Sequence, residues 1–107
     1  MDFNEIKKEL SGVNFQALRV DKESYFEAVF VKDELVKLVS LLQKIFGEPA
    51  EHSEKIQEML KDIGGVWPGQ TLYIINVGTG IVFAMLWPWQ DGERITLKMG
   101  VNIGKGG

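Results

Sequence analysis

The side chains with the most chemical potential in this chain are its three tryptophans. Two of them open a short repeated pattern, Trp67-Pro68-Gly69-Gln70 and Trp87-Pro88-Trp89-Gln90. An indole beside a proline is flat, stiff and partly apolar, and a side-chain amide nearby adds hydrogen-bonding capacity. Surfaces of that kind suit partner proteins, extended proline-containing peptides or stacked ring ligands. Trp67, Trp87, Trp89, Gln70 and Gln90 are therefore the candidate residues for binding a partner or ligand. A structural reading competes with this one. Tryptophans are usually largely buried, they close the open end of a small core, and Trp-Pro stacking stiffens a turn. The repeat matches in only three residues per copy, so chance also explains it.

The other candidates for chemistry are weaker. His52 is the single histidine, one turn before Ile56 and near the expected start of a helix, where the dipole disfavours a charged ring. A general base needs a positioned partner, and neither Glu48 nor Glu51 stands with a serine at a recognisable spacing, so no catalytic residue is assigned. The absence of cysteine excludes disulfides, thiol catalysis and cysteine-based metal sites. Glu51, Glu54, Glu58 and Asp62 follow one polar helical side, with Lys55 four residues after Glu51, which is the pattern of a solvated face. Neither a metal nor a cofactor is expected. Gly78-Thr79-Gly80 and Gly104-Lys105-Gly106-Gly107 are glycine-rich, but a phosphate loop needs a strand running into a helix whose first amides meet the anion. The first joins two expected strands, and the second follows the last one as a loose tail.

These residues must be positioned by elements that the hydrophobic spacing outlines. Residues 2–10 place Phe3, Ile6 and Leu10 on one helical face, with Gly12 as a stop. Residues 13–20 and 25–31 read as strands around the polar turn Asp21-Lys22-Glu23-Ser24. Asp33 is the expected N-cap of a helix whose apolar residues, from Leu35 to Phe46, sweep more than half the wheel. Gly47 and Pro49 end it, and a further helix begins between residues 49 and 53 and carries Ile56, Met59, Leu60 and Ile63 on one stripe. Strands over 72–77, 81–87 and 93–101 follow as a meander, with glycine-rich and Asp-Gly turns between them. The expected fold is thus α+β, a mainly antiparallel sheet of about five strands in the order α-β-β-α-α-β-β-β, packed against helices. It forms one domain over residues 1–103.

Strand alternation then sorts the meander into two faces. If Val77 pairs with Ile81 and Trp87 with Glu93, one face carries Ile75, Val77, Ile81, Phe83, Met85, Ile95, Leu97 and Met99, a natural core. The opposite face carries Leu72, Ile74, Val82, Ala84 and Leu86 beside Arg94, Thr96 and Lys98. A solvent-facing sheet surface is mostly polar, and this one is polar only along its last strand. Leaving four large aliphatic side chains in water would forgo several kcal/mol, at roughly 1.5–3 kcal/mol each. Leu72, Ile74, Val82 and Leu86 are therefore expected to meet the N-terminal helix, a second copy of the chain or another molecule, which makes them candidate interface residues.

The 107 residues carry a net charge of −3, with 45% hydrophobic and 25% charged side chains, an ordinary globular balance. That balance leaves no electrostatic footprint for nucleic acid or anionic lipid. Charge is concentrated early: residues 1–65 hold nine basic and thirteen acidic side chains, and residues 66–107 only three and two. The first ten residues lack the apolar stretch of a signal peptide, and the longest uncharged apolar run, residues 81–89, falls well short of the roughly 20 residues of a spanning helix. A cytoplasmic location is expected. The element order resembles that of profilin-like and roadblock-type domains, a resemblance that implies partner binding and frequent dimerisation. Together these readings point to a non-enzymatic protein-interaction or regulatory module, plausible as a homodimer. The alternative is a small-ligand-binding domain or minor enzyme with a tryptophan-lined site.

Overall fold

A computed structural model describes residues 3–50, 54, 57–58, 70–76 and 80–103. Among them two α-helices, one 3-10 turn and five strands form an α+β fold: α1 (Phe3–Leu10), β1 (Ala17–Asp21), β2 (Tyr25–Val31), the 3-10 turn Lys32–Glu34, α2 (Leu35–Phe46), β3 (Thr71–Asn76), β4 (Gly80–Pro88) and β5 (Arg94–Ile103). The strands make one antiparallel sheet in the order β1-β2-β5-β4-β3. The last strand therefore closes between the two hairpins rather than at an edge. The helix expected after Pro49 lies mostly outside the described residues, although Glu54, Gln57 and Glu58 are helical. His52 and the tail 104–107 also lie outside them.

Both described helices follow from their spacing. In α1, Phe3, Ile6 and Leu10 recur at three and four residues and are buried together. In α2, Leu38, Leu42 and Phe46 form the buried stripe, and Leu35, Val39 and Ile45 widen it. The helix does not start on Asp33. The chain enters it through the 3-10 turn, Glu34 occupies the cap without a side-chain bond, and the Glu34 carboxylate instead accepts the amide of Asn14 at 3.1 Å. Gly47 ends α2 at φ 84° and ψ −152°, a conformation that only glycine adopts readily.

The register of β4 differs from the expected one, and the difference redraws both faces. Asn76, rather than Val77, sits opposite Ile81, and Trp87 sits opposite Thr96 rather than Glu93. Both are slips by an odd number of residues, and each turns β4 over relative to its neighbour. The face under α1 and α2 therefore holds Tyr73, Val82, Ala84, Leu86, Ile95, Leu97 and Met99, continuing into Phe26, Ala28 and Phe30 of β2. Leu72, Phe83 and Met85 form a second buried cluster on the opposite face, with Ile74, Trp87 and Ala50 packed against it. The Ala50 amide donates to the Leu72 carbonyl at 2.7 Å, which carries the chain from the α2 side over the β3 edge.

The five consecutive residues Val82, Phe83, Ala84, Met85 and Leu86 are all at most 6% exposed. The strand is thus greasy in front and behind, and a single copy of the chain shields it on both sides. At roughly 1.5–3 kcal/mol for each large apolar side chain, that burial is a principal source of stability.

Candidate functional site

The turn between β4 and β5 positions the tryptophan-rich edge. Asp91 accepts the amides of Glu93 at 2.8 Å and Arg94 at 3.2 Å, Gly92 takes φ 70°, and the Trp89 amide donates to the Arg94 carbonyl at 2.9 Å. Trp87 and Trp89 have the same parity, so both rings project from the face opposite α1 and α2. Trp89 is held by its own N–H, which donates to the Thr96 hydroxyl at 2.7 Å. The guanidinium of Arg94 stands 5.0 Å from its ring centre and that of Arg19 5.9 Å. The Lys98 ammonium lies 3.7 Å from the ring centre of Trp87. Such cation–π contacts contribute about 0.5–1 kcal/mol each at exposed sites. The Trp87 N–H is buried and has no hydrogen-bond partner among the described residues.

This edge is closed on itself. Both rings are half-buried, cations already occupy their faces, and Glu27 is shared between Arg19 at 3.8 Å and the Tyr25 hydroxyl at 2.8 Å. Burial first, and then the hydrogen bond and charge of Glu27, push the Tyr25 phenol above its usual value. Gln90 is exposed in the turn, whereas Gln70 is half-buried and already engaged. Gln70 precedes Thr71, which sits opposite Leu86, so the second glutamine does share an end of the sheet with Trp87. Trp67 lies outside the described residues.

The four residues expected to share one apolar face do not share it. Val82 and Leu86 belong to the core face under the helices, while Leu72 and Ile74 point to the other side with Phe83 and Met85. Leu72 and Val82 are fully buried, Leu86 nearly so, and Ile74 half-buried, all within one chain. Their face assignment is therefore corrected: β4 turns over because both of its sides are apolar, so alternation alone left its register open.

Exposed apolar surface occurs elsewhere. Leu18 is 47% and Phe15 39% exposed, and both line a groove of about 360 Å³ between α1 and β1. Phe15 meets Phe26 and Phe30 edge-on at 6.5 and 5.9 Å, so its ring continues the core outward. Asn4, Lys7, Lys8 and Ser11 of the α1 segment form the opposite wall. Lys7 ties that wall to the sheet, donating to Asp21 at 2.8 Å and to the Lys22 carbonyl at 2.9 Å. Among the described residues β1 is also a terminal strand, paired only with β2 and largely exposed, whereas the other terminal strand, β3, is capped by the Ala50 amide. Sequence reasoning missed this groove because 13–20 read as one long strand. The signal available was the weak apolar alternation of that stretch, in which Phe15 and Leu18 fall out of phase.

Among the described residues no group of three or more histidine, cysteine or acidic side chains is placed to hold a metal ion, and no helix is long and apolar enough to cross a membrane. Among known proteins, no family model matches the sequence, no curated protein matches it, and no solved structure matches its fold.

Proposed function

We propose that this chain is a non-enzymatic protein-interaction module whose docking surface is the β1 edge with the groove between β1 and α1. One observation carries the reading: Phe15 and Leu18, two of the few large apolar side chains left exposed among the described residues, stand together beside a sheet edge on which no further described strand pairs. An open edge supplies backbone donors and acceptors, and a neighbouring apolar groove supplies side-chain anchors, the combination used when an extended segment adds to a sheet. With Lys7 already bonded to Asp21 and the Lys22 carbonyl, Lys8 on the wall is the cation that favours a carboxylate in that segment. The fitting partner is an extended stretch of another protein in which apolar and acidic residues alternate.

A second copy of the chain fits less well. Homodimerisation, expected from the apolar sheet, loses its first motive once the chain itself buries both sides of β4.

The test is a nuclear magnetic resonance titration of the full chain with a synthetic peptide of alternating isoleucine and glutamate. Shifts confined to α1, Phe15 and β1 are expected, and Leu18→Glu weakens binding at least about tenfold, by about 1.4 kcal/mol or more. Leu18 is exposed, so the variant keeps the parent's melting curve to within about 0.5 kcal/mol. Absence of saturable shifts, equal affinity for a peptide of alternating isoleucine and lysine, or a concentration-dependent dimer in light scattering that Leu18→Glu dissolves would replace this reading.

A further inference from the structure

We propose that the cleft between α2 and the Thr71 and Pro88 ends of β3 and β4 binds a small neutral ligand, an aromatic or branched aliphatic body bearing one hydrogen-bond acceptor. The cleft has a volume of about 350 Å³, within the range of small-molecule sites of roughly 300–1,000 Å³. It is separate from the β1 groove, toward the opposite edge of the same sheet face, and neither Trp87 nor Trp89 lines it.

Depth and chemistry define the occupant. Tyr73, Leu86 and Ile95 are buried at the floor, and Leu35 and Val39 of α2 form the wall. Pro49 and Pro88 complete the lining; having no N–H, they offer no backbone donor. Among the described lining side chains, hydrogen bonding falls to two hydroxyls, those of Thr71 and Tyr73. Burial first, and then the charge of Glu48, hold the Tyr73 phenol above its usual value, so it stays protonated and available as a donor. The same Glu48 charge disfavours an anionic ligand.

The experiment titrates the isotope-labelled full chain with 2-acetylnaphthalene, which is neutral and carries a ketone acceptor, and in parallel with 2-naphthoate and 2-isopropylnaphthalene. Saturable shifts at Leu35, Val39, Tyr73 and Ile95 are expected with the ketone, and the carboxylate binds at least about tenfold more weakly. Val39→Trp fills the cleft and abolishes ketone binding. Because a larger side chain there can also disturb folding, Thr71→Val and Tyr73→Phe provide the second arm. At least one of them weakens the ketone about fivefold, as expected for one lost hydrogen bond, and leaves the hydrocarbon unchanged. The proposal is overturned by any of three results: no saturable shifts in the parent chain, a carboxylate that binds as tightly as the ketone, or hydroxyl variants that both treat ketone and hydrocarbon alike. Unchanged ketone binding by a folded Val39→Trp variant overturns it as well. None of these outcomes bears on the isoleucine–glutamate peptide, whose site lies at β1.

Discussion

At Gly100 the sheet has no room for a side chain. A Cβ built there would stand 2.8 Å from Cζ of Phe83, the residue directly opposite, and 3.3 Å from the Ser24 carbonyl oxygen. Gly100→Ala therefore forces the Phe83 ring to move within a packed cluster and is expected to cost about 1–3 kcal/mol in urea unfolding. The same substitution in a Phe83→Leu background should cost less, and equal costs in both backgrounds would mean that the ring is not the obstacle. The two tyrosines report on burial in another way. Both Tyr25 and Tyr73 are raised above the usual value of 10.0, each mainly by burial and then by a neighbouring carboxylate, Glu27 and Glu48 respectively. A raised folded value means that the folded chain holds these protons more tightly than the unfolded one. The associated stability is complete below about pH 10 and is lost as pH rises beyond it. The native chain should show less tyrosinate absorbance at pH 10 than the urea-unfolded chain, which should be about half-ionised there. A native signal as strong as that of the unfolded chain would contradict the raised values.

Among the elements, α2 depends on how it ends. Gly47 adopts φ 84° and ψ −152°, and its amide closes the helix by donating to the Gln43 carbonyl at 2.9 Å. Three residues later the Ala50 amide is bonded to β3, so the helix end also sets where the chain crosses the sheet edge. Gly47→Ala has open space for its methyl group yet requires a backbone conformation that alanine resists. The expected loss is about 1–3 kcal/mol by thermal or urea melting. A neutral result would show that the crossing relaxes freely. The two terminal strands have opposite fates for a related reason: the chain leaving α2 caps β3, while nothing described continues past β1. That asymmetry, rather than the tryptophans, is why we propose the β1 side as the docking surface.

For the whole molecule, the decisive feature is the burial of β4 on both sides with β5 and β3 hydrogen-bonded along its flanks. Local openings that leave the rest folded do not reach such a strand, so its amides should exchange only through global unfolding. Hydrogen exchange is expected to be slowest across residues 82–86 and fastest in β1, whose residues are mostly exposed. Rapid exchange across 82–86 would remove the premise that one chain shields both faces of this strand.

Much of this architecture was legible in the residues themselves. The alternation of Tyr25–Val31 identified that strand to its boundaries, the stripe Phe3, Ile6 and Leu10 identified α1, and the run from Leu35 to Phe46 identified α2. The apolar composition of residues 82–86 already required cover on both faces of one strand. The candidate site was less legible. Parity within a strand is local, but parity between strands depends on hairpin register, and a strand that is apolar on both sides carries no signal against a one-residue slip. Val82 and Leu86 were thereby grouped with Leu72 and Ile74, which face the other way. The pairing of β2 with β5 joins residues some seventy positions apart in sequence, and no local spacing encodes it. The composition and periodicity of the chain determined its elements and their apolar stripes, because those depend on neighbours within a few residues. Tertiary structure alone decided which side of β4 meets the helices, which sheet edge stays open and that Phe15 and Leu18 share a groove, because each depends on contacts between segments far apart along the chain.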